Sequence, residues 1–138
     1  MTDISPEFLD LVVIGGGAAG YFAAITAAEA LSPRAKILLL EKGSQVLQKV
    51  KISGGGRCNV THNCLLPKPL VKNYPRGEKS LLGPFHHFGP SDTIEWFERH
   101  GVRLKTEADG RIFPTTDTSQ TIIDCLTAAA ETAGVRTR

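Results

Sequence analysis

The chain has 138 residues, of which 41% are hydrophobic and 22% charged, and its net charge is +2. That balance suits one globular domain and excludes both a disordered polymer and a membrane-embedded chain, because no apolar run approaches the length needed to span a bilayer. It also argues against a nucleic-acid partner, since Lys68, Lys72, Arg76 and Lys79 lie in a stretch broken by proline and glycine rather than along one stripe.

Met1 to Phe8 is polar and acidic, without the basic and apolar regions of a signal peptide, which points to a cytoplasmic protein. Leu11 to Ile14 is a short apolar run of the kind that forms a parallel strand buried on both faces. Gly15, Gly16, Gly17, Ala18, Ala19 and Gly20 follow at once, and an alanine-rich stretch to about Ala30 continues as a helix former. In a strand–turn–helix of this kind Gly15 permits the tight turn, Gly17 lets a pyrophosphate approach the backbone, and Gly20 lets helix and strand pack closely. The helix N-terminus then faces the phosphates with free N–H groups and the positive end of its dipole. Pro33 stops the helix, and Ala35 to Leu40 reads as a second buried strand ending at Glu41. That acid stands roughly twenty residues past the last glycine, where it would accept hydrogen bonds from ribose hydroxyls and disfavour a 2′-phosphate. This fingerprint holds an ADP half and leaves FAD and NAD open.

A second glycine cluster, Ser53-Gly54-Gly55-Gly56-Arg57-Cys58-Asn59, suits a backbone pressed against a flat or anionic ligand, with Arg57 and Asn59 as donors. A flexible surface loop is the other reading of the same residues. The cysteines, Cys58, Cys64 and Cys125, are odd in number and give no disulfide framework. Cys58, His62 and Cys64 lack a second ligand pair, so no metal site is expected. Without a Cys-x-x-C pattern, Cys58 reads as a packing residue, and Cys125 as core on a helix face with Ile122 and Leu126.

From Leu65 to Pro90 periodicity is lost among prolines and glycines, which reads as a long irregular segment. Its Phe85-His86-His87-Phe88 group either lines a substrate or, the favoured reading, pins a loop to the core. A helix opened by Asp92 and Glu95 ends at Gly101. A β-hairpin follows, turning at Asp109-Gly110 and returning through Arg111-Ile112-Phe113. Asp117 with Gln120 starts the next helix, Gly134 ends it, and Val135 begins a third parallel strand. The fold class is therefore α/β. Residues 1–138 read as the N-terminal portion of a Rossmann-like domain, with strands near 11–14, 36–40 and 135–138 in the order 3-2-1 and an inserted helix and hairpin. The far edge of the first strand has no predicted cover.

The residues Val13-Ile14-Gly15-Gly16-Gly17-Ala18-Ala19-Gly20, Leu39-Leu40-Glu41-Lys42, Lys51 to Asn59 and Lys105 to Pro114 together resemble the bacterial flavoprotein family known as YhiN-, BaiN- or RdsA-like, which includes aminoacetone oxidase. The resemblance runs through nearly the whole chain, and Gly-Gly-Gly-Arg-Cys-Asn is its most specific part. It implies a Rossmann-like domain that binds FAD non-covalently in an NAD(P)/FAD-dependent oxidoreductase, with the second glycine loop beside the cofactor. The implied cofactor-binding set is Gly15, Gly16, Gly17, Ala18, Ala19 and Gly20, then Glu41, Lys42 and Lys49, then Ser53, Gly54, Gly55, Gly56, Arg57, Cys58 and Asn59. Lys49 matches a basic family position, whereas Gln48 stands where arginine is common and His62 where asparagine is.

Family members are several hundred residues long, with a middle substrate domain and a C-terminal return, so this chain resembles their N-terminal third. The resemblance names no catalytic residue. It implies hydride transfer between FAD and a small organic substrate or NAD(P)H. The chain alone is expected to hold FAD poorly and to need a complementing C-terminal chain. A non-catalytic truncation or binding module, and an NAD-binding Rossmann protein, are the alternatives.

Overall fold

Two apolar runs lie side by side in the computed structural model, which describes residues 8–31 and 33–138. Leu11–Ile14 (β1) pairs in parallel with Ile37–Leu40 (β2), Leu11 opposite Ile37 and Ile14 opposite Leu40. Ala18–Ala30 (α1) connects them and buries Tyr21, Ala24 and Ile25. Gln48–Ile52 (α2) follows β2, and after seven further α-helices and strands the chain comes back as Arg136–Thr137 (β6) on the other side of β2. The sheet order β1-β2-β6 is the one expected for the first three strands of a doubly wound domain. By its internal contacts the chain forms two compact units, residues 1–50 with 126–138, and residues 51–125.

The outer edge of β1 carries no strand among the described residues, and the expected burial on both faces is not found: Val12 and Ile14 are 42% and 86% exposed, because no later strand or helix covers them among those residues. An open apolar edge is a template for association. Ile14→Lys is expected to weaken self-association of the chain by roughly ten- to a hundredfold, the worth of burying one isoleucine. Sedimentation velocity over a concentration series checks this, and an unchanged distribution would place the contact elsewhere.

The unit of residues 51–125 contains an antiparallel sheet in the order β3-β5-β4, formed by Thr61–His62 (β3), Leu104–Thr106 (β4) and Arg111–Pro114 (β5). The hairpin of β4 and β5 is the one expected. The strand β3 was not legible, because two residues carry no period. Phe113 is fully buried in this unit, and its burial contributes about 1.5–3 kcal/mol. Pro90–Arg99 (α5) turns Trp96 and Phe97 inward.

The structure corrects three expectations. Residues 65–90 are not irregular: Pro67–Val71 (α3) and Glu78–His87 (α4) are helices that pack on each other. Pro67 sits in the first turn, where its missing N–H costs nothing, and Pro84 costs α4 one internal hydrogen bond without ending it. Phe85 thus lies on a helix, its ring 5.4 Å from that of Tyr74. Secondly, α5 begins at Pro90, and Asp92 is its third residue, accepting the Gly89 N–H at 2.8 Å. That is half of a capping box, since glycine has no side chain to complete it. Thirdly, Ser119–Thr132 (α6) starts after Thr118, whose hydroxyl accepts the Gln120 N–H at 3.3 Å. Asp117 is therefore not the cap. Gly134 does close α6: its N–H reaches Glu131 O, and that of Val135 reaches Ala130 O, with φ +76 at the glycine.

Candidate functional site

Each unit carries a candidate ligand-binding element of its own. In the first, β1 runs into Gly15 at φ +109, a conformation that favours glycine. The turn is so tight that a Cβ on Gly20 would stand 1.8 Å from Gly15 O. Gly16 is glycine for a different reason: a Cβ there would meet Val46 Cγ1 at 2.8 Å and Glu41 Cβ at 3.0 Å. At Gly17 a Cβ would meet nothing within 4 Å, so packing does not demand its glycine. Gly17 is the N-cap of α1, without a side-chain cap or an acid in the first turn. The exposed Ala18 and Ala19 follow it. The N–H groups of that turn have no acceptor within the helix, the arrangement that suits an anion.

Glu41 leaves the end of β2 and spans the turn. One oxygen accepts the Gly43 N–H at 2.7 Å and the other accepts the Gly16 N–H at 2.8 Å. These bonds, that of Gly43 foremost, hold its carboxyl below the usual value of 4.5, and the neighbouring Lys42 adds a smaller Coulombic pull. A carboxylate has about four acceptor sites, so two backbone bonds leave room for ribose hydroxyls. Lys42 and Lys49 are both exposed, Lys49 on α2.

In the second unit, Ser53–Gly56 forms a turn in which Gly54, Gly55 and Gly56 take φ values of +55, +68 and +87. Three successive left-handed residues explain three successive glycines. Gly54 is also crowded, because a Cβ would lie 2.8 Å from Asn59 N and 2.9 Å from Phe113 Cε1. Gly54→Ala is expected to cost roughly 2–5 kcal/mol, combining the left-handed penalty with overpacking. Gly55→Ala, with open space around it, should cost only the first part. Urea unfolding of the two variants tests the difference, and equal losses would remove the packing argument.

Cys58 follows at φ +62 and is buried, which pushes its thiol up, while a hydrogen bond with the Ser53 hydroxyl acts the other way. Burial pushes Cys125 up to about 11. Near neutral pH an aromatic disulfide reagent should therefore modify the half-exposed Cys64 first, with Cys58 and Cys125 reacting only on unfolding. Rapid reaction of all three thiols in the folded chain would contradict this packing.

Arg57 is held on three sides. Its Nη1 lies 2.5 Å from Glu107 Oε1 and its Nη2 lies 3.5 Å from Oε2, while Asp117 Oδ1 is 3.5 Å from Nη1. Its guanidinium sits 4.0 Å over the Phe113 ring. Glu107 strengthens the hold of Arg57 on its proton most. Asp117, at φ +55, is kept below the usual carboxylate range by its bond from Lys105 first and by Arg57 second. With its amide oriented to donate, Asn59 reaches Thr61 O at 2.8 Å and Ile112 O at 3.3 Å, tying the loop to the small sheet. His62 Nε2 lies 3.0 Å from Asp109 O and its ring fills the space a Cβ on Gly110 would need. Among the described residues no group of three or more His, Cys, Asp or Glu side chains comes together to hold a metal.

The structure thus gathers Gly15 to Gly20 with Glu41 in one unit, and Ser53 to Asn59 in the other. Sequence reasoning missed Gly43 and Val46 around Glu41. It also missed Glu107, Asp117 and Phe113 around Arg57. A lone arginine among glycines gave one clue, since such a cation needs acids, but they lie 50 and 60 residues away.

Comparison with known proteins shows the family of the chain. The HI0933-like protein Rossmann domain family matches residues 9–138. The chain is 33% identical over 132 residues to "Ribosomal RNA dihydrouridine synthase" of Escherichia coli K12, a match covering 96% of the chain and 31% of that protein. It is 31% identical over 114 residues to "3-dehydro-bile acid delta(4,6)-reductase" of Clostridium scindens, covering 83% and 27%. The chain therefore spans under a third of the length of these curated relatives. Among solved structures, 3-ketosteroid-delta4-(5alpha)-dehydrogenase from Rhodococcus jostii RHA1 superposes with TM-score 0.64 at 19% identity, over 99% of this chain and 39% of that one. THI4 from Thermovibrio ammonificans gives 0.57 at 13% identity, over 94% and 38%. These two likenesses show the fold. No helix among the described residues is long and apolar enough to cross a membrane.

Proposed function

Because the chain belongs to the HI0933-like Rossmann domain family, we propose that it is the FAD-binding portion of an oxidoreductase that moves hydride to a carbon–carbon double bond conjugated with a carbonyl. The observation that carries the cofactor reading is the pairing of an uncapped α1 N-terminus with a Glu41 carboxylate fixed across the glycine turn. The first suits a pyrophosphate and the second the ribose of an ADP half. When bound, FAD supplies a two-electron carrier that accepts hydride from NAD(P)H and passes it to carbon. This chain's residues bind and orient: Gly17 admits the pyrophosphate, Glu41 accepts from the ribose, and the Gly54 to Asn59 loop, with Arg57 held in place by Glu107, contributes toward the flavin.

The reaction class rests on the relatives' names. Both denote hydrogen added across a ring double bond conjugated to a carbonyl, in a uracil ring in one and in a 3-oxo steroid in the other. Hydride adds to the carbon remote from the carbonyl and a proton to the carbon beside it.

The test is titration of the purified protein into FAD, followed by fluorescence polarisation, with ADP and NAD as competitors. FAD should bind weakly and reversibly, be released on denaturation and be displaced by ADP. NAD binding with no measurable FAD binding would support the alternative of an NAD-binding Rossmann protein and overturn this one.

A further inference from the structure

We infer that residues 43–47 form a strap across the glycine turn, and that Leu47 is the positioning residue that aims the Gly17 N–H at a pyrophosphate, a role that rests on reading this turn as the seat of an ADP half. All of these residues belong to one unit, residues 1–50 with 126–138.

Gly15, Gly16 and Gly17 follow one another, so the peptide planes between them rotate freely unless something holds each one. Three bonds do so. The Gly15 N–H donates to Leu40 O at 2.7 Å and the Gly16 N–H to Glu41 Oε2 at 2.8 Å, while Gly16 O accepts the Leu47 N–H at 2.7 Å. The last bond decides where the next donor points. The peptide joining Gly16 to Gly17 is trans, and in a planar trans peptide the C=O and the N–H point opposite ways. Holding Gly16 O toward Leu47 therefore turns the Gly17 N–H away from the strap. Among the described residues that N–H has no acceptor, and a Cβ on Gly17 would meet only open space.

Leu47 makes its bond from a strained position. Its φ is +57, in the left-handed region that a bulky side chain rarely adopts, and its side chain is only 1% exposed. Burial keeps it there. The reversal brings the exposed stretch 42–45 back onto the turn, where Val46 Cγ1 stands 2.8 Å from the place of a Cβ on Gly16. Gly43 ties the other end through its N–H on Glu41 Oε1 at 2.7 Å. Backbone held in such a region clusters at ligand clamps, where it fixes a donor before the ligand arrives.

The experiment deletes the bond and spares the side chain. The full chain is assembled by ligation at Cys58, with the Leu47 amide replaced by an ester and Gly17 labelled with heavy nitrogen, and ADP and adenosine are titrated by NMR. In the unaltered chain ADP should shift the Gly17 amide resonance and adenosine should leave it in place. The ester should weaken ADP about three- to tenfold, the effect of one misdirected hydrogen bond, and adenosine less than about twofold. Leu47→Gly keeps the N–H and adopts the left-handed backbone without strain, so it should lower the melting temperature and preserve the ratio of ADP to adenosine affinity. Equal losses of both ligands in the ester would make the bond merely structural and overturn the positioning role. A Gly17 resonance unmoved by ADP, or a ratio lost in Leu47→Gly, would overturn it too. If the ester does not fold, hydrogen exchange of the unaltered chain decides: without ligand the Leu47 amide should be protected and that of Gly17 should not, and a protected Gly17 would overturn the role. Binding of ADP and NAD without FAD would overturn the cofactor reading and leave the strap standing, FAD binding with Gly17 unmoved by ADP would do the reverse, and binding of none of these would overturn both.

Discussion

Gly20→Ala is expected to destabilise the chain by at least about 3 kcal/mol, because no rotamer relieves a Cβ placed 1.8 Å from the carbonyl oxygen of Gly15. The methyl is fixed by the backbone, so α1 and β1 must separate. Tyr21, Ala24 and Ile25 of α1 would then lose part of their packing. Against a total stability of about 5–15 kcal/mol, this removes a large share of the folded population at elevated temperature. Gly17→Ala is the control. Its φ of −88 is ordinary and a Cβ meets nothing, so the stability cost should stay below about 1 kcal/mol while FAD affinity falls. Thermal unfolding and FAD titration of both variants separate a glycine required by the fold from one required by a ligand. Equal stability of the two variants would contradict the close approach at Gly20.

The parts of the fold that were legible in the sequence are those with a strong local signal. Leu11 to Ile14 and Ile37 to Leu40 are uninterrupted apolar runs, and Gly15 to Gly20 is a turn with a known geometry, so β1, α1 and β2 fall where the pattern puts them. The helices α3 and α4 were hidden because proline and glycine were read as breakers, and because α4 buries nothing and so carries no clear stripe. Asp117 illustrates a different limit. An acid three residues before a glutamine has the pattern of a cap, yet its side chain goes to Lys105 and Arg57, which only tertiary structure brings within reach. The glycine loop lies between these cases. Its composition suggested a backbone pressed against a ligand or a flexible loop, and the structure adds three positive φ values, but nothing local revealed Phe113 beneath Gly54 or Glu107 beside Arg57.

Glu41→Ala should lower FAD affinity by roughly ten- to a hundredfold, the effect of losing hydrogen bonds to a charged acceptor. Two consequences distinguish a ligand role from a structural one. The carboxylate anchors Gly16 and Gly43, so part of the loss would arise from a loosened turn even without a ribose contact. Glu41→Gln preserves the length but keeps one acceptor and turns an amide N–H₂ toward a backbone donor, so it should weaken FAD binding nearly as much. The discriminating measurement is competition by ADP and by its 2′-phosphorylated form. A carboxylate at the ribose repels the added phosphate, so in the unaltered chain 2′-phospho-ADP should compete about tenfold or more weakly than ADP. In Glu41→Gln that gap should narrow, because the repelling charge is gone. A merely structural Glu41 would weaken both ligands equally and leave the ratio unchanged. The pH dependence follows from the sign of the shift. The carboxyl is held below its usual 4.5, so its contribution is complete above that value and is lost only as the pH falls through the lower folded-state value. The preference for ADP should therefore be flat from neutral pH down to about 5 and collapse only below that, and a preference that faded between pH 7 and 6 would point to a histidine or to the 2′-phosphate itself as its source.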